Sequence, residues 1–141
     1  VLITQVQHFR RLKTLLRDLS QSLGEAHVMS ALFDPTHGMI AMIREEQWQV
    51  EISACINEVV EFIATGNIDL DPEGEGTHTE LRCGFVLTVH CLEEEVWHLC
   101  LLQDAAKVNL LKVGLKEVQT QFLAYVDSLK KYPSDSGTTA N

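Results

Sequence analysis

Two hydrophobic periods alternate along this chain, and their order constrains its fold more than any motif does. Residues 4–23, 48–64 and 108–130 carry apolar side chains at helical spacing, while 27–34, 38–44, 80–92 and 96–103 alternate as strands do. Helix, hairpin, helix, acidic linker, hairpin and helix follow one another. Strands joined by short turns pair antiparallel, and a sheet of that kind needs helices to cover it. The expectation is one α+β domain over residues 1–131, with 132–141 (YPSDSGTTAN) as a disordered polar tail after Lys131.

The first helix repeats Phe9, Leu12, Leu16, Leu19 and Leu23 along one stripe, widened by Leu15 and stopped by Gly24. In the first strand Met29, Ala31 and Phe33 point one way and Val28, Ser30 and Leu32 the other. The turn after it is Asp34-Pro35-Thr36-His37-Gly38. The second strand is apolar on both sides (Met39 to Ile43), which predicts cover on both faces. In the second helix Ile52, Cys55, Ile56, Val59, Val60, Phe62 and Ile63 span roughly 160°. That arc is wider than one sheet contact requires, and two readings fit it: a helix in a dimer interface, or a deeply seated helix in a monomer. Residues 65–79 form a Gly-rich acidic loop, expected to be mobile. Beyond it Leu81, Cys83, Phe85, Leu87, Val89 and Cys91 alternate onto one face, Glu93, Glu94 and Glu95 make a turn, and Trp97, Leu99 and Leu101 rejoin that face. The last helix carries Leu111, Leu115, Val118, Phe122, Tyr125 and Leu129 as its stripe.

A net charge of −9 with only 11 Lys and Arg argues against nucleic acid and anionic membrane as partners. The longest uncharged apolar stretch alternates and is too short to span a bilayer, so no membrane insertion is expected, and the opening residues lack the apolar run of a secretory leader. Cys55, Cys83, Cys91 and Cys100 form no C-x-x-C pair and sit among apolar residues. They read as buried, reduced, inert thiols, which suits a cytoplasmic protein.

Two constellations carry chemistry worth weighing. Residues 69–80 nearly match a calcium loop, with Asp69, Asp71, Glu73, Gly74 and Glu80 at the ligand and bend positions. Glu73 replaces a short ligand, Pro72 and Gly76 disturb the backbone, and a strand follows instead of a helix, so the solvated linker is the preferred reading. A three-residue turn at 93–95 would bring His90 opposite His98, with Cys100 two residues on along the same face. That set suits zinc but is read first as a polar patch on a half-buried face. A Cys/His dyad is possible, yet no third group orients it, and no phosphate loop, H-E-x-x-H or G-x-S-x-G occurs. No catalytic residue, no metal and no cofactor are expected.

Three stretches give the pattern a likeness. The hairpin HVMSALFDPTHGMIAM, the helix QVEISACINEVVEFIA and the C-terminal VWHLCLLQDAAKVNLLKVGLKEVQTQF resemble, in order, the first two strands, the central helix, and the last strand, polar break and final helix of the roadblock/dynein-light-chain family. That resemblance implies an α+β fold with a five-stranded antiparallel sheet, the central helix on one face and the N- and C-terminal helices on the other. It further implies a two-fold dimer through the central helix, a scaffold that regulates Ras-like small GTPases, and no active site. Ile56, Val59, Val60 and Ile63 would then lie at the homodimer interface. Glu51, Glu58 and Glu61 beside it would meet a basic patch on a GTPase or similar partner, or simply solvate an exposed helix face. The readings from other classes are a small acidic dimeric secretion chaperone, which usually has three strands between its first two helices, and a ligand- or metal-sensing domain.

Overall fold

A computed structural model of the protein describes residues 6–34, 38–93 and 96–131, with side chains described between residues 10 and 124 of those spans. Three helices, α1 (Val6–Leu23), α2 (Gln49–Thr65) and α3 (Val108–Lys131), enclose strands β1 (His27–Asp34), β2 (Gly38–Arg44), β3 (Thr77–Glu80), β4 (Val86–Glu93) and β5 (Val96–Leu102). The sheet is antiparallel throughout, in the order β2-β1-β5-β4-β3. The α+β arrangement of five strands and three helices is the expected one.

The two faces of the sheet bury separate clusters. Leu12, Leu15, Leu16, Leu19 and Leu23 of α1 meet Leu111, Leu115, Val118 and Phe122 of α3 over one face. Ile52, Cys55 and Val59 of α2 meet Met29, Ala31, Leu87, Val89, Leu99 and Leu101 on the other. Helical stripes that each bury one side against a sheet give this layered solution. A Cβ added at Gly114 would stand 2.6 Å from Leu19 Cδ1, so the missing side chain lets α3 come close to α1. Asp104 Oδ1 accepts a hydrogen bond from the Ala106 amide (2.8 Å) and so caps the turn that leads into α3. The stripe positions Phe9, Tyr125 and Leu129, the turn residues 35–37 and 94–95, and the tail 132–141 lie outside the described side chains or residues.

Three details depart from the periodic pattern. First, 80–92 is not one strand. Residues 81–85 form a tight turn, in which the Leu81 amide donates to Phe85 O (2.8 Å) and the Gly84 amide to Leu81 O (2.9 Å). Gly84 has φ +98°, a conformation that favours glycine. Alternation runs on through the turn because Leu81 and Phe85 both return to the α2 cluster, while Cys83 is exposed. Second, Val28 lies with Met29 on the α2 side. A bulge between the pairs His27–Leu102 and Met29–Leu101 adds one residue there and resets the alternation. Third, β2 is an edge strand. Ala41 and Ile43 are buried under α1 and α3, but Met39 is 48% exposed, so the strand is covered on one face and open on part of the other.

Candidate functional site

The arc of α2 splits in two. Its inner half, Ile52, Cys55 and Val59, is at most 3% exposed against the sheet, with Phe62 and Ile63 half-buried at its border. Its outer half is uncovered: Ile56 is 40% and Val60 58% exposed. Ile56 and Val60 are four residues apart and make one row along the helix. Of the four positions expected at a dimer contact, Ile56 and Val60 therefore point outward, Ile63 sits on the boundary, and Val59 is turned into the core. Val50, 78% exposed, and Met39 are further uncovered apolar side chains that the sequence pattern did not single out. Val50 falls on the polar side of the helical wheel, where periodicity gives no reason to choose it.

The three glutamates separate as well. Glu51 and Glu61 are exposed. Glu58 is committed within the chain: both its carboxylate oxygens accept from the Arg82 amide, at 2.9 and 3.1 Å, and Arg82 Nε lies 3.5 Å from Oε2. It holds the 81–85 turn against α2.

On the opposite face of the sheet the register places His90 directly across from His98. The hairpin reaches that pairing without the expected three-residue turn at 93–95: Glu93 pairs with Val96, and a bulge between Cys91 and Glu93 takes up the extra residue. Cys100 follows two residues on along β5 and receives a hydrogen bond from Ser30 Oγ (3.6 Å). His27 completes this buried polar row, its Nδ1 2.7 Å from Glu45 Oε2 and its Nε2 2.7 Å from Ser30 Oγ. Burial lowers the pKa of His98 to about 3, with His90 and His27 adding to the effect. Burial and then Lys112 lower that of His90 to about 4. Burial also lowers His27, against the pull of Glu45, and pushes the Cys100 thiol up to about 12. These are neutral groups at ordinary pH. Among the described residues, no group of three or more His, Cys, Asp or Glu side chains is placed to hold a metal ion.

The acidic loop follows a path set by its own carboxylates. Asp69 accepts from the amides of Asp71 (3.0 Å) and Gly76 (3.2 Å), and Asp71 accepts from Glu73 (3.0 Å). The first and last of these are Asx turns, and the Gly76 bond closes the loop on Asp69, so the carboxylates serve the backbone. Gln119 of α3 donates to Pro72 O (3.0 Å) and Leu92 O (2.9 Å), joining loop, β4 and α3. Between them lies a cavity of about 460 Å³, lined among others by His90, Lys112, Lys116, Glu75 and Gln119. Among the described residues, no helix is long and apolar enough to cross a membrane.

No family model matches the chain, and no curated protein matches its sequence. Seventeen chains of known structure do match. One of them, Myxococcus xanthus MglB, shares 12% identity at a TM-score of 0.61, over 91% of this chain and 96% of its own. At that identity the likeness is one of fold, and it supports the roadblock-type arrangement to which the sequence bears a resemblance.

Proposed function

We propose that the chain is a non-enzymatic homodimeric scaffold of the roadblock type, which works in the cytoplasm by docking a Ras-like small GTPase or a similar signalling partner. One observation carries this reading: the uncovered row Ile56–Val60 on α2, in a fold shared with MglB. An exposed apolar row on a helix whose other side is already packed marks a surface for a second chain. The GTPase rests on the family resemblance, and the exposed Glu51 and Glu61 beside the row supply charge for a basic partner patch. The secretion-chaperone reading fits less well, because two strands, β1 and β2, separate α1 from α2.

Light scattering coupled to size exclusion tests the dimer. The expected mass is twice the 15.8 kDa of one chain, and Val60→Glu is expected to shift it to the single-chain mass while circular dichroism stays unchanged. A wild-type mass of one chain at every concentration ends the reading. Affinity capture with a panel of small GTPases loaded with GDP or a non-hydrolysable GTP analogue tests the partner, with nucleotide-dependent retention as the expected result. A second reading, a ligand-sensing domain, is favoured by the cavity beside His90. Native mass spectrometry of the freshly purified protein would reveal a stoichiometric small molecule there.

A further inference from the structure

The cavity between the acidic loop, β4 and α3 meets a buried side chain whose polar atoms are unsatisfied. His90, 9% exposed, lines it from β4, and neither of its ring nitrogens makes a hydrogen bond. An unpaired buried polar group costs free energy that a ligand can return. One edge of the ring is covered by the loop, since a Cβ on Gly76 would collide with His90 Cδ2. Burial and then Lys112 hold the imidazole neutral, with the Glu75 backbone pulling the other way. A neutral imidazole offers one donor and one acceptor nitrogen. Lys112 lines the same cavity from α3, and Lys116 follows one helical turn on. The Lys112 side chain is only 28% exposed, and its ammonium meets the Glu75 carboxylate at 3.7 Å. A charge-assisted hydrogen bond is shorter, about 2.8 Å. Glu75 is 88% exposed, so the pair is loose and its carboxylate is replaceable. Leu92 and Leu115, both buried, add an apolar wall. At about 460 Å³ the space is of ligand size.

We propose that this cavity binds a small organic anion, a carboxylate or a phosphate ester, whose oxyanion takes the place of Glu75 on Lys112. Its apolar body lies against Leu92 and Leu115, and a hydroxyl or carbonyl group on it pairs with His90. The inference rests on the ligand-sensing reading above and names the class of molecule for it. Charge decides that class. Glu73 and Glu75 also line the cavity, but both are exposed, whereas Lys112 is largely enclosed. A cation would meet Lys112 at the wall and gain only solvated carboxylates in return. Binding frees the Glu75 side chain and leaves Gln119, through its bond to Pro72 O, as the tie between loop and α3.

The test titrates the full chain, isotopically labelled for NMR, with para-hydroxybenzoate and with phenyl phosphate, and follows the amide shifts. The two probes carry the two oxyanions on the same ring, and the tighter one identifies the source. Para-hydroxybenzamide serves as the neutral probe and para-hydroxybenzylamine as the cationic one. The expected result is saturable shifts at Glu75, His90 and Lys112 with at least one anion, and none with the other two probes. Lys112→Met is expected to weaken that anion about tenfold. Glu75→Gln, which removes the competing carboxylate at an exposed position, is expected to tighten it. Should Lys112→Met unfold the chain, the sign of the Glu75→Gln effect still decides, and weaker binding there overturns the proposal. So does equal or stronger binding of the neutral or cationic probe, or the absence of saturable shifts with both anions. Native mass spectrometry separates the two failures: a neutral or cationic molecule held by the purified protein overturns the anion and leaves the ligand-sensing reading standing.

Discussion

His98 shows what burial does to one side chain. It is fully buried, both its ring nitrogens lack a hydrogen-bond partner, and its pKa falls to about 3. In the unfolded chain the same imidazole takes a proton near 6.5. Above that pH neither state is protonated and His98 contributes no pH dependence. Below it the unfolded chain binds a proton that the folded one refuses, so stability falls as pH falls, until the folded pKa is reached. Between pH 7 and pH 4.5, His98 alone is expected to cost about 2–3 kcal/mol of unfolding free energy. Urea titrations at the two pH values measure this, and His98→Leu, which keeps an apolar side chain there, is expected to remove most of that loss. An equal pH dependence in the variant would assign it to other groups. The pairing of His90 with His98 was expected from a turn at 93–95, but the structure arrives at it with Glu93 paired to Val96 and a bulge between Cys91 and Glu93, which the sequence did not show. Their companion His27 was not expected. It enters the row only through the bulge at Val28, which leaves no mark on composition.

At the scale of elements, α2 is held to the sheet by one apolar face and to the 81–85 turn by Glu58. The guanidinium contact is exposed and adds little, whereas the amide contact joins two elements that are distant in sequence. Glu58→Ala is expected to cost about 1 kcal/mol in denaturant unfolding. Its distinguishing sign is faster amide hydrogen exchange at Arg82 and Cys83, with exchange in β5 unchanged. Protection retained at Arg82 would show that the turn holds itself. The helices and the first hairpin were readable because their periods begin and end at clear stops. The β3–β4 turn was not, because Leu81 and Phe85 keep strand alternation in phase across Gly84 and hide a reversal of direction within it.

For the whole molecule, charge and uncovered apolar surface meet on the outer side of α2. With Glu58 engaged, Glu51 and Glu61 are the free carboxylates of the proposed partner contact. Their joint reversal, Glu51→Lys with Glu61→Lys, is expected to lower partner affinity about tenfold at low salt and to leave dimer mass and thermal unfolding unchanged. Wild-type binding should weaken with added salt, and the variant's should not. Binding unchanged at low salt would place the partner elsewhere on the molecule.

Periodicity by itself determined the order of elements and the α+β class, because apolar spacing at 3.6 or 2 residues leaves each helix and strand only one side to bury. It also determined that α2 carries more apolar surface than one contact uses. Which residues hold that excess was decided by packing: Val59 goes to the sheet, Ile56 and Val60 to solvent. Packing alone also set Glu58 on the Arg82 amide and closed the loop over α3 through Gln119. Each is a contact between segments far apart along the chain, created by strand register and a turn, and local spacing carries no record of either.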